Sequence, residues 1–328
     1  MATATRTRTA RGGIDLGGTK IEAVVVDGRN QVIGSARRPT PTTGGPRDVA
    51  KELARALRDA VADAGLETSD LSGAGVGSPG AIDADAGTVS SAGNLPGWKG
   101  SFALGPALEA ELGTPVTIGN DVSVATEAEF RLGAGRPYRS LLGVFWGTGV
   151  GGGLILERKP WLGRGSSAEI GHMVVKIGGA RCGCGREGCL EAYAGRGSME
   201  NRARKYVDQG RRTDLFKLMK ERGRTRLTSG VWAKAIERED KLAIEIVDTA
   251  IGALGAAVAS AVNLLDIEAV VIGGGLGIRF GQPYADRILG AMKPHLFVDE
   301  NPPAVRVAEL GDLGGAIGAS LLARRTAR

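Results

Sequence analysis

Gly13-Ile-Asp-Leu-Gly-Gly-Thr-Lys-Ile-Glu-Ala-Val-Val-Val-Asp27 reads as a strand, a glycine-rich turn and a second strand. Leu142-Gly-Val-Phe-Trp-Gly-Thr-Gly-Val-Gly-Gly-Gly-Leu-Ile-Leu-Glu157 repeats that plan. The spacing of about 128 residues is too long for a solenoid and predicts two related domains, each opening with a glycine-tipped β-hairpin. A tight hairpin needs one or two glycines, and the second turn has five among seven positions, so turn geometry alone does not account for it. Around these hairpins, short apolar runs alternate with helix-patterned segments. Leu142 to Trp146, Leu154 to Glu157 and Ala269 to Ile272 read as strands. Val49, Leu53, Leu57 and Val61 form one helical face within Asp48 to Ala64, and Val122 to Leu132 and Ala243 to Leu265 also read as helices. This alternation predicts an α/β fold.

Glycine lets backbone N–H groups approach a ligand without an intervening Cβ, and several converging N–H groups make an anion nest. The turns at Gly17, Gly18 and Thr19 and at Gly147, Thr148 and Gly149 are therefore candidate phosphate cradles. Thr19 and Thr148 add hydroxyls, Lys20 adds positive charge, and Asp15 is placed to hold Mg²⁺ through water. Gly147, Gly149 and Gly152 also match G-x-G-x-x-G, but that dinucleotide fingerprint must open a helix, and strand-like Leu-Ile-Leu follows. A third cluster, with Gly273 and Gly274, follows an apolar strand and is a candidate shelf for a nucleotide base and ribose, or a plain β–α connection.

Cys182, Cys184 and Cys189 lie within eight residues, and His172 lies ten residues upstream. Three thiolates and one imidazole complete a tetrahedral zinc set, which leaves no open position and predicts a structural ion. Three cysteines so close together do not make a disulfide framework and point to a reducing compartment. Glu169 and Glu191 flank the cluster. Asn120 and Asp121 end a strand just before a helix. Two readings of Asp121 stay open: a helix N-cap, or a general base that orients and deprotonates a hydroxyl in phosphoryl transfer.

The 328 residues carry 42 Lys plus Arg against 36 Asp plus Glu, for a net charge of +6, and include 53 glycines. Arg6, Arg8, Arg11, Arg324, Arg325 and Arg328 account for that excess, so the charge does not support a nucleic-acid or membrane surface. No run has the ~18 uninterrupted apolar residues of a bilayer span, and the start lacks the apolar core of a secretory signal. Residues 1–11 read as a disordered tail and the chain as cytoplasmic. Residues 202–226 hold ten basic and three acidic residues. This segment reads either as a solvated helical face or as a surface for an anion such as inorganic polyphosphate.

The chain resembles the sugar kinases of the ROK family and is similar to their bacterial glucokinase branch. The resemblance rests on Asp15-Leu-Gly-Gly-Thr-Lys20, Gly77-Ser-Pro-Gly-Ala-Ile-Asp83, Asn94-Leu-Pro-Gly-Trp98, Gly119-Asn-Asp121, Gly147 to Gly153, Glu169-Ile-Gly-His172, Cys182 to Glu191 and Gly273-Gly-Gly275, in family order. It implies a two-lobed actin-like, ribonuclease-H-related fold around a central cleft. The expected small lobe spans 12–119, joined by a C-terminal helix at 312–328, and the large lobe spans 120–311 with a zinc loop at 172–191. It implies ATP and Mg²⁺ at Asp15, Gly17, Gly18, Thr19, Lys20, Gly147, Thr148, Gly149, Gly273 and Gly274. It implies a hexose, glucose foremost, held by Gly80, Asn94, Asn120, Asp121, Glu169, His172 and Glu191. Phosphoryl transfer to O6 would use Asp121 as base, and His172 would serve both zinc and sugar. A homodimer or homotetramer is expected. Family repressors carry a DNA-binding domain ahead of the kinase core, whereas only about twelve residues precede the first hairpin here. The alternatives are a polyphosphate-using glucokinase or glucomannokinase, an N-acetylhexosamine kinase, and a sugar-binding sensor without turnover.

Overall fold

The computed structural model describes residues 9–93 and 95–323. They fall into two compact units. The first holds the described residues up to Gly133, Leu162–Ser167 and those from Glu309 onward; the second holds Ala134–Trp161 and Ala168–Ala308.

The first unit runs β1 (Ala10–Leu16), β2 (Lys20–Val26), β3 (Val32–Pro39), α1 (Pro46–Asp63), β4 (Leu71–Ser78), β5 (Ala81–Asp83), β6 (Thr88–Ser90), β7 (Ser101–Phe102), α2 (Leu104–Leu112), β8 (Val116–Asn120) and α3 (Asp121–Leu132). Its main sheet has the order β3-β2-β1-β4-β8; the first three strands are antiparallel and β4 and β8 join in parallel. A parallel partner requires a crossover, and α1 provides it. Val49, Leu53, Leu57 and Val61 on its inner face are all buried and pack with Ile14, Leu16, Ile21 and Ile118. Strands β5 to β7 form a small separate sheet.

The second unit runs β9 (Leu141–Trp146), β10 (Val150–Leu156), β11 (Lys159–Pro160), α4 (Glu191–Ala194), α5 (Arg196–Asp208), α6 (Leu215–Glu221), α7 (Ser229–Glu237), α8 (Lys241–Leu265), β12 (Ala269–Gly273), α9 (Gly274–Phe280), α10 (Gln282–Met292) and β13 (Ala304–Val307). Its sheet order, β11-β10-β9-β12-β13, repeats the first in pattern and direction. The internal repeat thus extends from the hairpin to the whole five-stranded sheet. Trp146, Trp232, Ile246, Leu254 and Ile272 are at the centre of this core. Among the described residues, α8 is the one helix long and apolar enough to cross a bilayer. Its apolar face is buried against the rest of the unit, with Leu242, Ile246, Leu254 and Val258 inaccessible.

The last helix, α11 (Gly314–Leu322), returns to the first unit. It lies directly on the backbone of β1 and β4, where a Cβ at Gly13 or Gly75 would collide with the carbonyls of Ala316 and Ala319. Part of the glycine excess therefore serves close helix–sheet packing, not ligand contact.

Three expected boundaries move. The first unit extends to Gly133, not 119, because α3 packs on α11; Asp121 is therefore a residue of the first unit. The strand β1 starts at Ala10, so the expected tail of 1–11 ends earlier, and Arg11 is buried with its Nη2 donating to Asn30 Oδ1 at 2.7 Å and to the Asp27 carbonyl at 3.1 Å. The C-terminal helix starts at Gly314, after a 3₁₀ turn at Gly311–Leu313, and not at 312.

Candidate active site

In the first unit, Asp15 is near the end of β1, in register with Glu22 on β2 and Gly77 on β4. The β1–β2 turn closes with Gly17 N–H donating to the Lys20 carbonyl at 3.0 Å, and Thr40 Oγ1 donates to the Gly17 carbonyl at 2.6 Å. Gly18 and Thr19 are exposed at the tip. Lys20 does not extend its charge freely toward a ligand: its Nζ is 2.6 Å from Oε1 of the buried Glu22, which also receives Arg37 at 2.7 Å.

The capping question at 120–121 has a definite answer. Asn120 is the N-cap of α3, and its Oδ1 accepts from the N–H groups of Val122 at 3.1 Å and Ser123 at 3.0 Å. Asp121 is the first helical residue, so the cap reading passes to its neighbour. Asn120 retains Nδ2 as a donor toward a ligand. The carboxylates of Asp121 and Asp15 act on each other. Burial, then the Asp121 charge, pushes Asp15 up to about 7, against a smaller opposing effect of Lys20. Two carboxylates in one half-buried place suit a divalent cation, so Asp15 fits the Mg²⁺ role by its chemistry. Gly80 turns the chain between β4 and β5 with φ +99°. Asn94 lies outside the described residues.

In the second unit, the β9–β10 turn closes with Gly147 N–H donating to the Gly149 carbonyl at 2.9 Å. It lies beside the start of α9. Gly273 pairs with Phe145, and Gly274 has φ +76° with its Cα so close to Trp146 that a Cβ would come within 2.6 Å of the Trp146 carbonyl oxygen. The second and third glycine clusters, 120-odd residues apart in sequence, thus meet at the carboxyl ends of adjacent strands.

The four candidate metal ligands come together. The donor atoms of His172, Cys182, Cys184 and Cys189 all lie within 4.8 Å of one another. Cys184 and Cys189 Sγ atoms are 3.8 Å apart, and Cys182 Sγ is 3.9 Å from His172 Nδ1. A zinc tetrahedron with ~2.3 Å Zn–S bonds needs sulfur atoms about 3.8 Å apart, and a disulfide needs them at about 2 Å. The residues fit structural zinc. Burial pushes the Cys182 thiol up to about 12, whereas a backbone N–H bond at Arg186 pulls exposed Cys184 down to about 6.

Glu191 links this cluster to the hairpin. Its Oε2 accepts from Val150 N–H at 2.9 Å, and its Oε1 is 4.0 Å from Cys182 Sγ. Glu169 is exposed, just before the 3₁₀ turn Ile170–His172. Sequence reading missed Arg196. Its Nη2 donates to Thr148 Oγ1 at 2.8 Å, and no local sequence pattern joins residues 48 apart.

Three of the ten basic residues at 202–226 pair with carboxylates outside the segment. Arg204 and Arg226 pair with Glu200, Arg211 pairs with Glu245, and Arg202 stacks on Tyr193. The local charge count therefore overstates its field.

The ROK family model matches residues 11–326. A glucokinase of Halalkalibacterium halodurans is 32% identical over 320 residues, covering 95% of this chain and 94% of that protein. An N-acetylgalactosamine kinase of Shewanella sp. is 33% identical, covering 94% and 95%. A crystal structure of a ROK family glucokinase from Streptomyces griseus in complex with glucose and AMPPNP superposes with TM-score 0.82 at 30% identity, covering 96% of this chain and 99% of that one. The two-lobed actin-like α/β fold of those kinases is also the fold of this chain. With the family model matched almost from end to end and relatives above 30% identity over nearly the full length, the chain belongs to the ROK family.

Proposed function

We propose that this sugar kinase transfers the γ-phosphoryl group of ATP to O6 of a hexose, with glucose as the preferred acceptor and Asp121 as general base. The observation that carries this reading is the division of labour at 120–121: Asn120 caps the helix, and Asp121 stands beside Asp15 in the unit whose hairpin tip offers Gly18 and Thr19. The sugar O6 attacks the γ-phosphorus while Asp121 takes its proton; the bond to the β–γ bridging oxygen breaks and ADP leaves. Asp15 would hold Mg²⁺, which would supply positive charge to the phosphates. The Gly147–Gly149 turn and the Gly273–Gly274 connection belong to the donor side. Asn120 donates a hydrogen bond to a sugar hydroxyl, and Gly80, Asn94, Glu169, His172 and Glu191 complete the sugar ligands. His172 Nδ1 faces the cysteines, which leaves Nε2 for a hydroxyl. His172, Cys182, Cys184 and Cys189 would hold structural zinc, which would fix His172 and, through the neighbouring Cys189, Glu191.

A coupled ADP-release assay with ATP, Mg²⁺ and a panel of hexoses and N-acetylhexosamines tests this. Turnover with glucose above the other sugars is the expected result. The Shewanella relative, as similar as the glucokinase, favours a second reading in which an N-acetylhexosamine is the acceptor; highest kcat/KM on such a sugar would establish it. Polyphosphate in place of ATP is a third arm of the assay, and silence with every donor leaves a sugar-binding sensor. A cytoplasmic location and a homodimeric or homotetrameric state belong to the same reading, and sedimentation measures the latter.

A further inference from the structure

Arg196 is the first residue of α5, a position where the helix macrodipole disfavours a cation. A second guanidinium stands close by: a Cβ at Gly197 would lie 3.8 Å from Arg226 Nη2. Among the described residues, Arg196 makes no ion pair with a carboxylate. Glu200, one turn on, is engaged by Arg204 at 2.7 Å, by Arg226 at 3.1 Å and by the Leu227 N–H at 2.9 Å. The side chain of Arg196 is instead spent on one neutral hydroxyl, Thr148 Oγ1, at the tip of the β9–β10 hairpin. The backbone carries α5 to the same tip: Arg196 N–H donates to the Gly147 carbonyl and Gly197 N–H to the Thr148 carbonyl, each at 3.1 Å. Burial, then the Arg226 charge, holds the guanidinium below its ordinary pKa. Each of these effects disfavours the cation, and within the protein only the smaller charge effect of Glu200 opposes them. An anion beside Thr148 would offset all of them at once.

We infer that Arg196 is a donor-phosphate ligand, binding non-bridging oxygens of the phosphate chain beside Thr148 with the guanidinium nitrogens that the hydroxyl leaves unused. This rests on the reading of the Gly147–Gly149 turn as part of the donor site. A guanidinium presents a planar fork matched to phosphate oxygens, and a lysine presents only a point charge. Arg226 plays a smaller part, because it is already paired with Glu200.

The test is titration calorimetry of zinc-loaded protein with ADP, tripolyphosphate and adenosine, for wild type, Arg196→Gln, Arg196→Lys and Arg226→Gln. The assignment predicts that Arg196→Gln weakens ADP and tripolyphosphate at least tenfold and leaves adenosine within twofold, as expected for loss of a charge-assisted bond. Arg196→Lys should recover part of that loss, and Arg226→Gln should lose less than Arg196→Gln. ADP affinity within twofold of wild type in Arg196→Gln overturns the assignment. So does an equal loss of ADP and adenosine, which marks a role in holding the hairpin only. Wild type that binds ADP and tripolyphosphate but phosphorylates no sugar removes the kinase reading and leaves Arg196 to be decided by the binding ratios.

Discussion

Replacing Asp15 by Asn should stabilise the ligand-free protein at alkaline pH and leave its stability nearly unchanged at acid pH. Asp15 moves from an ordinary 3.8 to about 7 on folding. A raised carboxyl value means that the native state holds the proton more tightly than the unfolded chain does. Stability from that proton is complete below pH 4, declines as the unfolded chain ionises, and is gone once pH passes 7. Three pH units at 1.36 kcal/mol each set a ceiling of about 4 kcal/mol, and residual solvent at this half-buried side chain brings the expected figure to roughly 2–4 kcal/mol. Asn imitates the protonated form and does not titrate. Urea denaturation of zinc-loaded wild type and Asp15→Asn, without Mg²⁺ or nucleotide, at pH 5 and pH 8 reads the effect of Asp15 together with its coupling to Asp121, Lys20 and Glu22. The difference between variants should grow by about 0.5–2.5 kcal/mol between the two pH values, the rest having already appeared by pH 5 as the unfolded chain ionises. Removing the Asp121 charge should shrink it, because that charge is the second cause of the shift. A difference that is flat with pH, or an Asp15→Asn protein less stable than wild type at pH 8, refutes the argument. The same variant should lose activity, since the carboxylate that destabilises the empty site is the group assigned to Mg²⁺.

Asp121→Ala should lower kcat by about 10²–10⁴ while the sugar Kd, read by intrinsic tryptophan fluorescence or calorimetry, changes by less than about threefold; near-wild-type kcat would remove Asp121 from the base role. Asn120→Ala should cost about 1 kcal/mol in denaturation midpoint analysis through loss of the α3 cap. Asn120→Asp should keep the cap and raise the sugar KM by exchanging an Nδ2 donor for an acceptor. Zinc analysis should find one ion per chain, and strong chelation should lower the melting temperature and the sugar affinity together; a metal-free, fully active protein would contradict the ligand set. Gly274→Ala, at φ +76° and 2.6 Å from the Trp146 carbonyl oxygen, should cost about 1–3 kcal/mol or more and raise the KM for ATP; a melting curve matching wild type would show that the connection has room to shift.

Much of this molecule was legible without coordinates, for local reasons. Alternation of apolar residues and glycine tips specified both hairpins, because strand and turn chemistry act over a few residues. The candidate zinc set was legible because three cysteines within eight residues and one histidine have few other uses. What proximity in sequence could not carry, packing decided. The contact of α3 with α11 moved the domain boundary past Asp121, and a contact between segments almost 200 residues apart has no local signature. The cap at Asn120 in place of Asp121 depended on the backbone conformation at one residue, φ −68° and ψ 136°. Lys20 read as a free charge, although Glu22, two residues on in the same strand and so on the same face, was within reach; what only the fold decided was that Glu22 is buried there with Arg37 beside it. The basic segment read either as a solvated helical face or as an anion surface, and nothing in the sequence signalled that Glu200 and Glu245, outside its borders, pair with three of its arginines. Arg196 gave no signal at all, since its partner Thr148 is reached only through the fold. Residue types and short spacings settle which chemistry is available. Tertiary structure settles which charges are already neutralised and which are left to act, because electrostatic partners are chosen by distance in space, not along the chain.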